Sequence, residues 1–129
     1  MSPLFSNEKP GVLVIDDEPE LLIIIKTALE GEGCRVFAFA DPEDGVKFYE
    51  HNSRDIKVVL LDYLMPKLTG DLVFECLQRQ NPDVRVLLLT ACDDNVARQM
   101  FQAGLRGYIQ KPFFLHDLIT RVGEEIDAL

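Results

Sequence analysis

The sequence predicts a doubly wound α/β sandwich, a parallel sheet with helices packed on both faces. Three observations carry that prediction. Short apolar runs at residues 12–15, 56–61 and 84–89 are almost unbroken, as strands buried on both sides are. Stretches with apolar residues at helical spacing separate them. The strict alternation of the two patterns implies right-handed strand–helix–strand units and therefore parallel pairing.

In chain order, residues 1–10 are polar and carry both charges, and they read as a flexible lead-in. The first strand follows Gly11 and ends at Asp16-Asp17. Glu18-Pro19-Glu20 then starts a helix, with proline in the first turn and acids that complement the helix dipole. The helix runs to Gly31, with Leu21, Ile24, Ile25 and Ala28 on its inner face. Leu22 and Ile23 fall outside that stripe, as partner contacts or as part of a wider core stripe. Residues 34–39 form a second strand whose polar content suits an edge. Asp41-Pro42-Glu43 repeats the helix start, and the second helix, carrying Val46 and Phe48 or Tyr49, frays near His51-Asn52-Ser53. The run at 56–61 is a central strand. Beyond a loop over residues 66–70, Leu72, Val73, Cys76 and Leu77 form the inner stripe of a third helix that stops before Asn81-Pro82. The fourth strand spans 84–89 and is closed by Thr90. Asp93-Asp94-Asn95 supplies an N-cap for a fourth helix with Val96, Ala97, Met100 and Phe101 inward and Gly104 as its stop. A short fifth strand at 106–110 meets Lys111-Pro112. The last helix, from about 113 to 128, buries Leu115, Leu118, Ile119, Val122 and Ile126.

Composition narrows the function. With 129 residues and 47% hydrophobic content the chain builds one packed domain without staples. Thirteen basic against 22 acidic residues give a formal charge of -9, which disfavours direct binding to nucleic acid. Cys34, Cys76 and Cys92 are far apart and match no zinc or disulfide pattern, so reduced thiols in a cytoplasmic setting are expected. The longest unbroken apolar run, residues 21–25, is far below the roughly 20 residues of a membrane span, so no membrane association is expected.

In an open parallel sheet, sites form beyond the carboxyl ends of the strands. Here those ends carry Asp16 and Asp17 after strand one, Asp62 after strand three, Thr90 after strand four and Lys111 after strand five. Carboxylates crowded there raise one another's pKa unless a counter-charge offsets them. An all-oxygen ligand set suits magnesium, or manganese in its place, rather than zinc. A strand-end carboxylate is also a nucleophile towards phosphorus, and phosphoryl transfer asks mainly for positioning and charge neutralisation. Lys111 and Thr90 are placed to take phosphoryl oxygens, with Asp62 carrying the group. Each residue has a plainer reading alone: Asp16 and Asp17 as helix caps, Asp62 as a turn acid, Thr90 as a cap, Lys111 as a strand-end cation. Their coincidence on one sheet edge favours the joint reading.

Four motifs resemble the receiver domains of two-component response regulators: Val14-Ile15-Asp16-Asp17-Glu18-Pro19; Leu61-Asp62-Tyr63-Leu64-Met65-Pro66 with Gly70 following; Leu89-Thr90-Ala91; and Gly107-Tyr108-Ile109-Gln110-Lys111-Pro112-Phe113. The resemblance covers residues 11–129. It implies a flavodoxin-like fold of five parallel strands in the order 2-1-3-4-5 with five helices. It implies Asp62 as phosphoacceptor, with magnesium held by Asp17 directly, by Asp16 largely through water, by Asp62 and by the backbone carbonyl of Leu64. Thr90 and Lys111 then bind the phosphoryl group, Lys111-Pro112 is a cis peptide, and Tyr108 is the aromatic whose rotamer couples to Thr90. The expected function is a regulatory phosphoacceptor switch that promotes its own phosphoryl transfer and slow dephosphorylation.

The expected donor is a phosphohistidine on a sensor histidine kinase or histidine phosphotransfer protein, docked by Leu22, Ile23 and the loops near Asp62 and Pro112. His51 and His116 are surface histidines rather than donors. The fourth helix, fifth strand and fifth helix form the expected signalling surface and a possible homodimer contact. Leu64, two residues after Asp62, and Cys92, two after Thr90, orient an attacking water poorly and point to a long-lived phosphoryl group. Two other readings fit less well. A haloacid-dehalogenase-like phosphatase wants Asp-x-Asp after strand one, and a flavodoxin-like nucleotide or flavin binder wants a Ser/Thr/Gly-rich loop where this chain has three acids.

Overall fold

Successive side chains on a strand point to opposite faces, and in this protein each face of the sheet has its own core. The computed structural model describes residues 9–91 and 94–128, with the backbone alone at Asp94. Most of the predicted lead-in, Cys92, the Asp93 cap and the last residue lie outside the described residues. Five strands, β1 (Gly11–Ile15), β2 (Arg35–Phe39), β3 (Ile56–Asp62), β4 (Val86–Thr90) and β5 (Gly107–Gln110), pair in parallel in the order β2-β1-β3-β4-β5. Five helices connect them: α1 (Pro19–Gly31), α2 (Pro42–Asn52), α3 (Gly70–Gln80), α4 (Asp94–Gln102) and α5 (Leu115–Asp127). The sequence-predicted architecture and strand order are both observed.

Leu13, Ile15, Val59, Leu61, Val86 and Leu88 pack on one side against Tyr49 of α2, Val73, Phe74 and Leu77 of α3 and Met100 of α4. Val12, Val14, Val58, Leu60, Leu87, Leu89 and Ile109 pack on the other against Leu22, Ile25 and Leu29 of α1 and Leu118 and Val122 of α5. β1 and β4 are buried at every position, whereas β2 is exposed or half-buried at all but Val36, in keeping with its place at the edge.

Several helical faces are rotated from the sequence reading. In α1 the buried residues are Leu22, Ile25 and Leu29, with Leu21 partly buried against them, while Ile23 and Ile24 are exposed. Leu22 and Ile24 therefore exchange the roles assigned from the sequence. A helix with apolar residues at five consecutive positions has no unique inner stripe, and the fit to β1 and α5 selects one. In α3 Phe74 is buried and Leu72 is exposed, and Phe101 of α4 and Leu115 of α5 are also exposed. Boundaries move by one or two residues. Cys34 lies just before β2, where its N–H donates to the Leu29 carbonyl; β4 begins at Val86 and β5 at Gly107; and α5 begins at Leu115, after Phe114, whose backbone is extended.

Two features hold the ends of the sheet. Gly70 N–H donates to the Tyr63 carbonyl at 2.7 Å, and a Cβ at Gly70 would lie 2.8 Å from the Asp62 carbonyl oxygen, so only glycine lets α3 start this close to the end of β3. At the opposite edge Glu125 is buried and accepts from Arg106 Nε at 3.0 and 3.2 Å and from Arg85 Nη1 at 3.3 Å, with Arg121 Nη2 3.7 Å away. Arg121 also donates to the Arg106 carbonyl, tying α5 to the start of β5. No helix among the described residues is long and apolar enough to cross a membrane.

The rotated face of α1 is directly measurable. Leu22→Ala is expected to cost about 2–4 kcal/mol in chemical denaturation, as core truncations do, and Ile24→Ala under about 1 kcal/mol. A larger loss for Ile24→Ala than for Leu22→Ala would restore the face read from the sequence.

Candidate functional site

The carboxyl ends of β1, β3 and β5 bring Asp16, Asp62 and Lys111 together. Asp16 follows β1 directly and its N–H donates to the Phe39 carbonyl at 3.1 Å, so the residue stays in the sheet and is fully buried. Asp62 is the last residue of β3, in register with Leu89 of β4, and is likewise buried. Lys111 N–H donates to the Thr90 carbonyl at 2.8 Å, and the Lys111-Pro112 peptide is cis, as expected. Lys111 Nζ lies 3.0 Å from Asp16 Oδ2 and 3.3 Å from Asp62 Oδ1. Asp17, half-buried, joins Asp16 and Asp62 in a cluster in which one carboxylate oxygen from each lies within 4.8 Å of the others.

Asp16 is not the cap of α1, whose N-cap is Glu18, but it makes a turn bond just before the helix alongside the charge pairing. Its Oδ1 accepts from Glu18 N–H at 2.9 Å while its Oδ2 faces Lys111. One carboxylate thus turns the chain into α1 and fixes the ammonium. Glu18, read from the sequence only as part of a helix start, reaches the same ammonium: its Oε1 accepts from Lys111 Nζ at 3.0 Å. No local signal in the sequence singles it out, because an acid at a helix start is already explained by the helix dipole. Glu18 is the N-cap residue of α1, yet its side chain makes no capping bond and is free to turn elsewhere.

Burial sets the electrostatics. Desolvation, and next the charge of Asp16, push the Asp62 carboxyl up to about 7, against the pull of Lys111. Asp16 is raised too, chiefly by burial, with the Glu18 N–H and Lys111 opposing. Burial alone would lower the Lys111 pKa, but its hydrogen bonds to Asp16 and Glu18 outweigh that and raise it, so the ammonium stays charged. A site with three acids and one fixed cation still lacks positive charge. Three hard oxygen donors this close fit magnesium or a similar divalent ion.

The remaining predicted residues are placed less tightly. Thr90 ends β4, buried, in register with Gln110. Tyr108 lies on β5 with its ring half-exposed, edge-to-face with Phe101 of α4 at 6.1 Å. Leu64 is exposed, two residues past Asp62. Ile23, Ile24, Phe114 and Leu115 are also exposed, on α1 and around the start of α5, whereas Leu22, a docking candidate in the sequence, is buried.

Comparison with known proteins agrees with this geometry. The response regulator receiver domain family matches residues 12–123. The probable transcriptional regulatory protein TcrX of Mycobacterium tuberculosis is 35% identical over 114 residues, covering 86% of this chain and 47% of that protein. The hybrid signal transduction histidine kinase D of Dictyostelium discoideum is 34% identical over 119 residues, 90% of this chain and 8% of the kinase. The chain therefore spans less than half the length of these curated relatives. A response regulator receiver domain protein from Clostridium thermocellum superposes with a TM-score of 0.86 at 30% identity, over 92% of this chain and 94% of that one. The phosphatase and nucleotide-binding alternatives find no comparable support among these matches. By sequence and by fold, the chain belongs to the receiver domains of two-component response regulators.

Proposed function

We propose that Asp62 is the phosphoacceptor of this receiver domain and that Asp16, Asp17, Asp62 and the Leu64 carbonyl hold magnesium. One observation carries the reading: a buried strand-end carboxylate beside two further acids and 3.3 Å from a fixed ammonium. An Asp62 oxygen attacks phosphorus of a phosphohistidine on a sensor histidine kinase or phosphotransfer protein. The P–N bond breaks, and its electron pair leaves with the imidazole. Lys111 and the Thr90 hydroxyl take oxygens of the transferred group, and magnesium, when bound, neutralises charge on those same oxygens. The donor docks against exposed Ile23, Ile24 and Phe114 around the site. The added charge repositions Thr90 and then Tyr108, and the surface of α4, β5 and α5 carries the signal or pairs with a second copy.

Incubation with acetyl phosphate and magnesium, followed by intact mass, is expected to give one magnesium-dependent phosphoryl adduct on the wild type and none on Asp62→Asn. A wild type without the adduct would falsify the acceptor assignment.

The raised pKa of Asp62 sets a pH dependence. The ordinary aspartate value is about 3.9. Between that and about 7, folding makes this group take up a proton, so its contribution to stability falls as pH rises through the window and the penalty is complete above it. In chelator at pH 8, Asp62→Asn is expected to melt roughly 2–6 °C above wild type. The gap should close towards pH 4, and magnesium should raise the wild-type Tm more than that of the variant. Thermal melts across pH check both statements.

Leu64 offers an exposed apolar side chain where a polar one could orient attacking water. Leu64→Asn is expected to shorten the phosphoryl lifetime by up to roughly tenfold, a modest orienting effect. An unchanged decay after removal of acetyl phosphate would remove Leu64 as a determinant of lifetime.

A further inference from the structure

An ammonium has three N–H donors, and Lys111 Nζ faces three carboxylates: Asp16 Oδ2 at 3.0 Å, Glu18 Oε1 at 3.0 Å and Asp62 Oδ1 at 3.3 Å. On the reading of Asp62 as acceptor, Lys111 can grip phosphoryl oxygens only if one of its partners gives way. The three partners are unequal. Asp16 is fully buried and its other oxygen is held by the Glu18 N–H, so separating it from Lys111 leaves a buried charge short of its partner. Asp62 is where the group arrives. The Glu18 side chain is 61% exposed, and water replaces whatever it loses.

We propose that Glu18 is a positioning residue that holds Lys111 over the site as a displaceable third carboxylate, and whose departure frees an ammonium N–H for the phosphoryl group. The backbone of Glu18 stays anchored as it leaves. Its N–H donates to Asp16, and its carbonyl accepts from Leu22 N–H at 3.1 Å, so α1 keeps its first turn. The released carboxylate lies at the N-terminus of α1, where the helix dipole favours negative charge. Departure therefore costs little on either side, which is what an exchangeable partner requires.

The test uses the intact chain with Glu18→Gln, which keeps the size of the side chain and removes its charge. Glu20→Gln removes the same charge from a neighbouring exposed position that makes no described contact with Lys111. Initial rates of adduct formation with acetyl phosphate at saturating magnesium are followed by intact mass, and magnesium affinity is measured by titration calorimetry. Glu18→Gln is expected to form the adduct about two to five times faster, the worth of an exposed ion pair, with magnesium affinity within about twofold of wild type and Glu20→Gln unaccelerated. A rate that is unchanged or slower overturns the proposal. Weaker magnesium binding does so as well, because it would make Glu18 a metal-holding residue, and equal acceleration in both variants would reduce the effect to a general field. A wild type that takes no phosphoryl group overturns the acceptor reading itself, and this proposal with it.

Discussion

Three carboxylates cannot crowd the end of a buried sheet without counter-charge, and in this protein the resident counter-charge is the Lys111 ammonium. It arrives from the far edge of the functional region, 95 residues along the chain from Asp16, and closes the circle of strand ends. Its placement depends on the Lys111 N–H bond to the Thr90 carbonyl, which continues the pairing of β5 with β4 past the last strand residue. The strand order does the rest. With β3 between β1 and β4, the acids of two adjacent strands meet at the point where the chain's progress across the sheet reverses, the usual place for a site in this class of fold.

The balance is deliberately incomplete. One ammonium against Asp16, Asp17, Asp62 and Glu18 leaves the region negative, and Asp62 responds by holding its proton up to about neutral pH. A buried acid in that condition lacks a full counter-charge within the protein. The other edge of the sheet is built the opposite way. There a single buried carboxylate, Glu125, is surrounded by Arg85, Arg106 and Arg121, and the charge is satisfied within the protein. One end of the sheet is closed electrostatically, and the other is left with an excess of negative charge.

The elements most legible from the sequence were those whose physics is local. β1, β3 and β4 read as buried strands because nearly every residue in them is apolar, and the Pro19, Pro42 and Gly104 boundaries follow from proline and glycine backbone chemistry. The helix faces were less legible. Leu22, Ile24, Leu72 and Phe74 are all apolar, so spacing alone allowed neighbouring stripes, and only packing against the sheet and the adjoining helix chose between them. Glu18 was missed for a related reason: an acid at a helix start already has a sufficient local explanation, and its bond to Lys111 spans 93 residues.

By itself, the sequence determined the strand and helix alternation, the parallel sheet and the chemical identity of the groups at the strand ends, because residue type and period act over a few positions. The tertiary structure alone decided which of those groups meet, how far burial raises Asp62, and that Glu18 shares the Lys111 ammonium with Asp16 and Asp62. Distances between residues far apart in the chain, and the desolvation that accompanies them, exist only once the sheet has closed its order and the helices have covered it.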